Sequence, residues 1–153
     1  MQAMIKVLIE TTLGNFTLEL FADMPLTAGN FKKLVQNEFY NGTIFHRIIE
    51  GFMIQGGDPT GTGRGGPGYS IKDEFTSHNS NVKGTIAMAN SGPNSGGSQF
   101  FINLVDNPHL NRGHPVFGKI IEGMKIIHTL GSVQTDSEDR PIKEVKIIRA
   151  TVI

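Results

Sequence analysis

Apolar residues at alternate positions recur along this chain, and a period of two constrains its fold more than any other feature. Ile5, Val7 and Ile9 share one side of a short segment, a Thr12-Leu13-Gly14-Asn15 turn follows, and Phe16, Leu18 and Leu20 then alternate with Thr17 and Glu19. Successive side chains of a strand point to opposite faces, so these two runs predict a hairpin that buries one face. Further strands are predicted over Thr43 to Ile49, Phe52 to Gln55, Gly84 to Ala89, Gln99 to Leu104, Val116 to Ile121 and Ile142 to Val152, giving eight. Helical spacing occurs in two places: Leu26 to Asn37, with Ala28, Phe31, Leu34 and Val35 on one side, and Gly123 to Leu130, with Met124, Ile127 and Leu130 aligned. Two helices cannot cover both faces of a large parallel sheet. The expected fold is therefore dominated by β-structure: a closed eight-stranded antiparallel β-barrel, which hides its edges, capped by two α-helices.

Glycine punctuates this pattern. Seven of the thirteen residues from Gly56 to Gly68 are glycine, and Gly92, Gly96 and Gly97 form a second cluster. Both are flanked by runs of strand length, which makes them long loops within one domain, residues 1–153, and not linkers between domains. The 14 Lys and Arg balance the 14 Asp and Glu. A net charge of zero provides no long-range attraction for phosphate backbones or anionic lipid, so neither nucleic acid nor membrane is an expected partner. The absence of cysteine excludes a disulfide framework, thiolate metal sites and a Cys nucleophile, and agrees with a cytoplasmic location. The N-terminal run carries Lys6 and Glu10 and lacks the features of a secretory signal, and no apolar stretch approaches the length of a membrane span.

Familiar catalytic patterns are missing. The segment GTGRGGPG lacks the Gly-Lys-Ser/Thr ending of a phosphate-binding loop, Ser91, Ser95 and Ser98 lie outside any Gly-x-Ser-x-Gly elbow, and the five histidines form no His-x-x-x-His pair. A hydrolase using Ser98 or Ser91 with His114 has little support, and neither metal nor cofactor is expected.

Three segments mix polar and apolar side chains in a way that strand periodicity does not explain: FHRIIEGFMIQGGD from Phe45, MANSGPNSGGSQFFI from Met88, and HLNRGHPVFG from His109. Together they closely resemble the signature regions of the cyclophilins, the peptidyl-prolyl cis/trans isomerases, and the similarity runs from the first hairpin to the last strand. The resemblance implies a surface groove for proline-containing peptides. It makes Arg47 the catalytic arginine, Phe52, Met53 and Gln55 groove residues, and Ala89 and Asn90 the strip that pairs with substrate backbone. It also makes Gln99 a hydrogen-bonding group, Phe101 the pocket aromatic, and Leu110 and His114 the far wall. The loop around Thr62 and Gly63 resembles a neighbouring subsite less closely.

Each of these residues has a plainer reading. Phe52, Met53, Phe101 and Leu110, taken singly, suit a core. Arg47 suits a surface, although the run Ile44 to Ile49 is otherwise rich in apolar residues, and His46 suits a structural hydrogen-bonding role. Phe100 and Phe101, however, are neighbours on one predicted strand and must face opposite ways, so one joins the core and the other needs a pocket.

The resemblance implies rotation of X-Pro bonds without bond cleavage, cofactor or titrating base, acting as a monomer on proline-containing peptides and flexible protein segments. No appended RNA-binding, helical-repeat or membrane-anchoring domain is expected. A proline-peptide binding module or chaperone scaffold, with isomerisation incidental, is the alternative. The chain departs from the best-known cytosolic cyclophilins at His109, where they carry tryptophan, and at Ser91, Gly113 and Glu50, where they carry alanine, lysine and proline. His109 is expected to modulate inhibitors, with reduced affinity for cyclosporin.

Overall fold

The computed structural model describes residues 5–153; residues 1–4, included in the expected domain, lie outside the described residues. The predicted hairpin is present as β1 (Ile5–Thr11) and β2 (Gly14–Leu20), joined in a continuous antiparallel register from Ile5 opposite Leu20 to Thr11 opposite Gly14. Then come α1 (Pro25–Gln36), β3 (Arg47–Ile49), β4 (Met53–Gly56), β5 (Thr85–Met88), β6 (Phe100–Asn103), β7 (Val116–Glu122), α2 (Met124–Gly131) and β8 (Ile147–Val152). The eight strands form one antiparallel sheet in the order β3-β4-β6-β5-β7-β2-β1-β8. Register shifts at Glu10/Thr11, Thr17/Leu18 and Ile86/Ala87 add local bends to the natural twist and curl it.

The strand order shows the eight strands as a curled half-barrel and not as a continuously closed ladder: β3 and β8 end the sheet and do not pair as strands. The strand predicted over Thr43 to Ile49 is reduced to three residues. Ahead of it Ile44 makes isolated bridges to both Asp58 and Lys146, so the chain crosses the gap as a stitch instead of a ladder. The final strand likewise starts later than predicted, because Ile142 is drawn away to hydrogen-bond with Gln134.

The inner face of the curl packs a core in which Phe31 stands 5.1 Å from both Tyr40 and Phe117, and Phe100 is edge-on to Phe31, Tyr40 and Phe45. Aromatic edges meeting faces in this way add to the burial of apolar area itself. Helix α1 buries Ala28, Phe31, Leu34 and Val35 against this core, the side its spacing predicted, and packs on β7 and β8. Its first turn has Pro25 and no capping side chain of its own. The Glu74 carboxylate, 47 positions further along from Thr27, instead accepts from the amides of Leu26 (3.1 Å) and Thr27 (2.8 Å). Helix α2 buries Ile127 and Leu130 and lies on β2, β3 and β4. Among the described residues no helix is long and apolar enough to cross a membrane.

Candidate active site

Strand alternation builds a second, smaller apolar surface on the outer face of the sheet. Ile48, Ile54, Ile86, Phe100 and Ile102 point into the main core. Their neighbours Ile49, Met53, Ala87 and Phe101 point the other way and join Val116, Phe21, Phe52, Ala89 and Leu110 in a separate cluster. The adjacent phenylalanines are thus divided as the strand geometry required. Arg47 lies on this outer face as well. It is exposed at a sheet end, which removes the cost of burying a cation in an apolar run.

A cavity of about 140 Å³ opens here, lined by Arg47, Phe52, Met53, Gln55, Ala89, Asn90, Phe101, Leu110 and His114. Nine of the ten catalytic and substrate-binding candidates therefore meet around one space. The tenth, Gln99, lines a neighbouring cavity of about 440 Å³ that shares Gln55, Ala89 and Asn90 with the first and is bounded by the glycine loop. Gly63 of that loop lines the larger cavity, whereas Thr62 is exposed and engages Thr60.

Polar side chains across the sheet are linked in series. Arg47 is directly opposite Gln55 on β4, and its Nη1 donates to Gln55 Oε1 at 3.3 Å. Gln55 Nε2 donates to Gln99 Oε1 at 3.0 Å, and Gln99 Nε2 donates to the carbonyls of Gly63 and Gly65, both at 3.0 Å. Both amides are thereby oriented. On the far wall His114 has Nδ1 2.9 Å from the Met88 carbonyl and meets Phe101 edge-on at 5.3 Å. Leu110 ends a short 3₁₀ turn, Pro108–Leu110. Asn90 Nδ2 donates to Gly113 O at 2.7 Å, tying the two sides of the groove together. His109 is exposed and stacks on Phe52, with ring centres 5.8 Å apart, outside the lining of the smaller cavity.

The serines are engaged by backbone. Ser98 Oγ donates to Gly57 O and Ser95 Oγ to Gly92 O, the turn chemistry their surroundings suggested. Gly57 has φ +88°, and a Cβ there would meet Ser98 O at 2.5 Å, so only glycine lets the chain turn off β4 at this point. His46 does not fulfil its expected hydrogen-bonding role: it is buried and its Nδ1 has no partner. Burial lowers its pKa, against the opposing pull of Asp58. Among the described residues no three of His, Cys, Asp and Glu gather as a metal site would require.

Two sets of supporting residues were invisible to motif reasoning. Asn81, Asn103 and Asn107 form a buried chain of amides in which Asn107 Nδ2 donates to Asn103 Oδ1 and Phe52 O, and Asn103 Nδ2 donates to Asn81 Oδ1 and Thr85 Oγ1. This chain sets the approach to the Leu110 wall, and the asparagine density of these segments was its only trace. The second is Asp58, fully buried beneath the glycine loop, whose carboxylate accepts from Thr60 N (2.8 Å), Thr60 Oγ1 (2.8 Å) and Gly63 N (2.5 Å).

Burial acts to raise the Asp58 pKa, but the donors of Thr60, Gly65 and Gly63 outweigh it and hold the carboxyl at about 2. An unfolded aspartate titrates near 3.9. A carboxyl depressed in the folded state stabilises the fold above its unfolded pKa and loses that contribution as pH falls through the folded one. Asp58 is thus expected to contribute about 2 kcal/mol above pH ~4, declining as pH falls towards ~2. Denaturant unfolding of wild type and Asp58→Asn checks this: their stability difference should shrink from pH 7 to about pH 2.5, and an unchanged difference would contradict it.

Comparison with known proteins gives one consistent answer. The family model described as Cyclophilin type peptidyl-prolyl cis-trans isomerase/CLD matches residues 6–152. A Neurospora crassa protein named peptidyl-prolyl cis-trans isomerase-like 1 is 50% identical over 152 residues, covering 96% of this chain and 93% of that protein. The crystal structure of a cyclophilin type peptidyl-prolyl cis-trans isomerase from Cryptosporidium parvum superposes with a TM-score of 0.95 at 38% identity, covering 99% of this chain and 98% of the other. A further structure of the C. parvum protein, determined in the presence of the dipeptide Ala-Pro, gives 0.93 at 39% identity, covering 97% and 98%. A family match over nearly the whole length, agreeing with half-identical relatives and with closely superposing crystal structures, leaves one conclusion: this chain belongs to the cyclophilin-type peptidyl-prolyl cis-trans isomerase family.

Proposed function

We propose that this chain, acting as one isomerase domain over residues 1–153, accelerates rotation about X-Pro bonds bound in the smaller cavity, with Arg47 as the catalytic group. Rotation about a peptide bond faces a barrier of about 18–20 kcal/mol because the nitrogen lone pair is delocalised into the carbonyl, and X-Pro exchange takes tens to hundreds of seconds. In the twisted transition state that lone pair returns to the imide nitrogen. A fixed donor aimed at it stabilises the twisted state more than either planar one, which is the condition for catalysis.

Phe101, Met53, Phe52 and Leu110 hold the pyrrolidine ring, with His114 backing Phe101. Gln55, Gln99, Asn90 and the backbone at Ala89 hold the residues preceding proline, so one side of the bond is fixed while the other turns. No group gains or loses a proton. The observation that carries this reading is the apolar cavity with the Arg47 guanidinium at its rim, oriented by Gln55. The Ala-Pro dipeptide used with the C. parvum relative is of the chemistry this cavity fits.

The substrates are proline-containing peptides and flexible segments of folding proteins, met by a monomer in the cytoplasm. A neutral net charge offers no reason to add nucleic acid or membrane as partners. Refolding of a protein limited by a slow X-Pro phase is the test. At about one molecule of this chain per hundred of substrate, that phase should shorten. Retardation at equimolar protein with no acceleration would mark a binding module instead.

Cyclosporin binding is weakened at His109. An imidazole offers less apolar area than an indole and is more strongly hydrated, and here it rests on Phe52 outside the cavity. His109→Trp is expected to tighten inhibition tenfold or more, worth about 1.4 kcal/mol, while turnover of small peptides changes less than about twofold. Equal inhibition constants for the two proteins would show that position 109 does not control the inhibitor.

A further inference from the structure

The buried carboxylate of Asp58 lies at the start of an unbroken series of contacts that ends on Arg47. Its Oδ1 accepts from Thr60 and its Oδ2 from the Gly63 amide, which shapes the loop from residue 60 to residue 65. Gly65 is pressed so closely on Oδ1 that a Cβ there would collide with it. From the other side Arg140 Nη1 donates to Gly61 O at 2.9 Å, so the loop is gripped from both sides. The carbonyls this arrangement aims, those of Gly63 and Gly65, receive both hydrogen bonds of the Gln99 amide nitrogen. That leaves Gln99 Oε1 facing Gln55 Nε2, which in turn leaves Gln55 Oε1 facing Arg47.

A side-chain amide has a donor end and an acceptor end, so orienting one determines the next. Each amide in this series presents its oxygen towards Arg47 and its nitrogen towards the loop. If the loop carbonyls turned away, Gln99 would lose both acceptors that hold its nitrogen on that side. Gln55 would then be free to present nitrogen to the guanidinium, which has no acceptor to offer. Arg47 is exposed, with no ion pair among the described residues, and this amide oxygen is the side-chain group that accepts its hydrogen bond.

We propose that Asp58 is a positioning residue for catalysis, orienting Arg47 through the glycine loop, Gln99 and Gln55. The proposal rests on the assignment of Arg47 as the catalytic group. It adds to that assignment a buried anion that never meets the substrate. Because the relay ends on the donor and not on the ring pocket, its disruption is read mainly in kcat, with a smaller rise in KM because Gln99 and Gln55 also hold the residues preceding proline.

Asp58→Asn is the sharpest change, since Asn keeps an oxygen for Thr60 and turns an NH₂ towards the Gly63 amide, opposing donor to donor. Exchange NMR on an Ala-Pro peptide should show kcat reduced about tenfold and KM raised by no more than about threefold. In an Arg47→Ala background the same substitution should change kcat less than twofold, because the relay then has nothing to orient. Equal losses in both backgrounds, or a loss of thermal stability with kcat intact, would overturn the proposal. If Arg47→Ala alone retained full kcat, the catalytic assignment itself would fail, which is a different result. Thr60→Val, at an exposed position, covers the case in which Asp58→Asn does not fold. It removes the hydroxyl that donates to Asp58, together with that hydroxyl's contacts to Thr62, and should lower kcat about threefold, again only when Arg47 is present, and no effect on kcat would count against the relay.

Discussion

Arg47→Ala is expected to bind X-Pro peptides with nearly unchanged affinity and to lose roughly 10²- to 10³-fold in turnover, about 3–4 kcal/mol of transition-state stabilisation. The asymmetry follows from location. The guanidinium is at the rim of the cavity, exposed and aligned by Gln55, and the apolar walls proposed to hold the proline ring do not depend on it. An interaction made only in the twisted state leaves ground-state binding alone when it is removed. Exchange NMR gives the rate and a titration gives the affinity. Turnover within a few-fold of wild type would remove Arg47 from the mechanism.

Phe100→Ala and Phe101→Ala, one residue apart, should fail in different ways. Phe100 is enclosed by Phe31, Tyr40 and Phe45, so truncation leaves a cavity in the main core and should cost about 3–5 kcal/mol of stability. Phe101 already borders open space on one side and loses fewer neighbours, so about 1–3 kcal/mol is expected. Its loss should instead raise KM for X-Pro peptides tenfold or more, because the face that receives the ring is gone. Denaturant unfolding and peptide kinetics on both variants provide the comparison. A Phe101→Ala protein with normal KM would detach this cavity from substrate binding.

That contrast shows what could be read in the sequence and why. Period-two alternation records which face a side chain takes, so the Ile5–Leu20 hairpin and the sorting of Phe100 from Phe101 were legible from it, whereas the grouping of Met53, Ala89 and Phe101 was implied by the family resemblance. Helical spacing likewise placed Phe31 and Ile127 in the core. Alternation says nothing about partners distant in the chain. The Glu74 carboxylate at the start of α1, the chain of buried asparagine amides behind the Leu110 wall and the grip of Asp58 on its loop are polar contacts without a period. The same gap explains the ends of the sheet. Thr43 to Phe45 have strand composition, yet Ile44 is shared between Asp58 and Lys146, and the two end strands do not meet. Motif resemblance named Arg47 and Gln99 separately, while the link from one to the other through Gln55 emerged only from the geometry.

Two-dimensional exchange NMR on an Ala-Pro peptide, with this chain present in catalytic amount, tests the central claim directly. Free peptide exchanges over tens to hundreds of seconds and gives no cis-trans cross peaks at mixing times of about a second. With the protein, cross peaks between the cis and trans proline resonances should appear at those mixing times, while the cis:trans ratio and the peptide's mass stay unchanged. Line broadening from binding, with cross peaks still absent at saturating peptide, would contradict catalysis and leave a groove that holds proline without turning it.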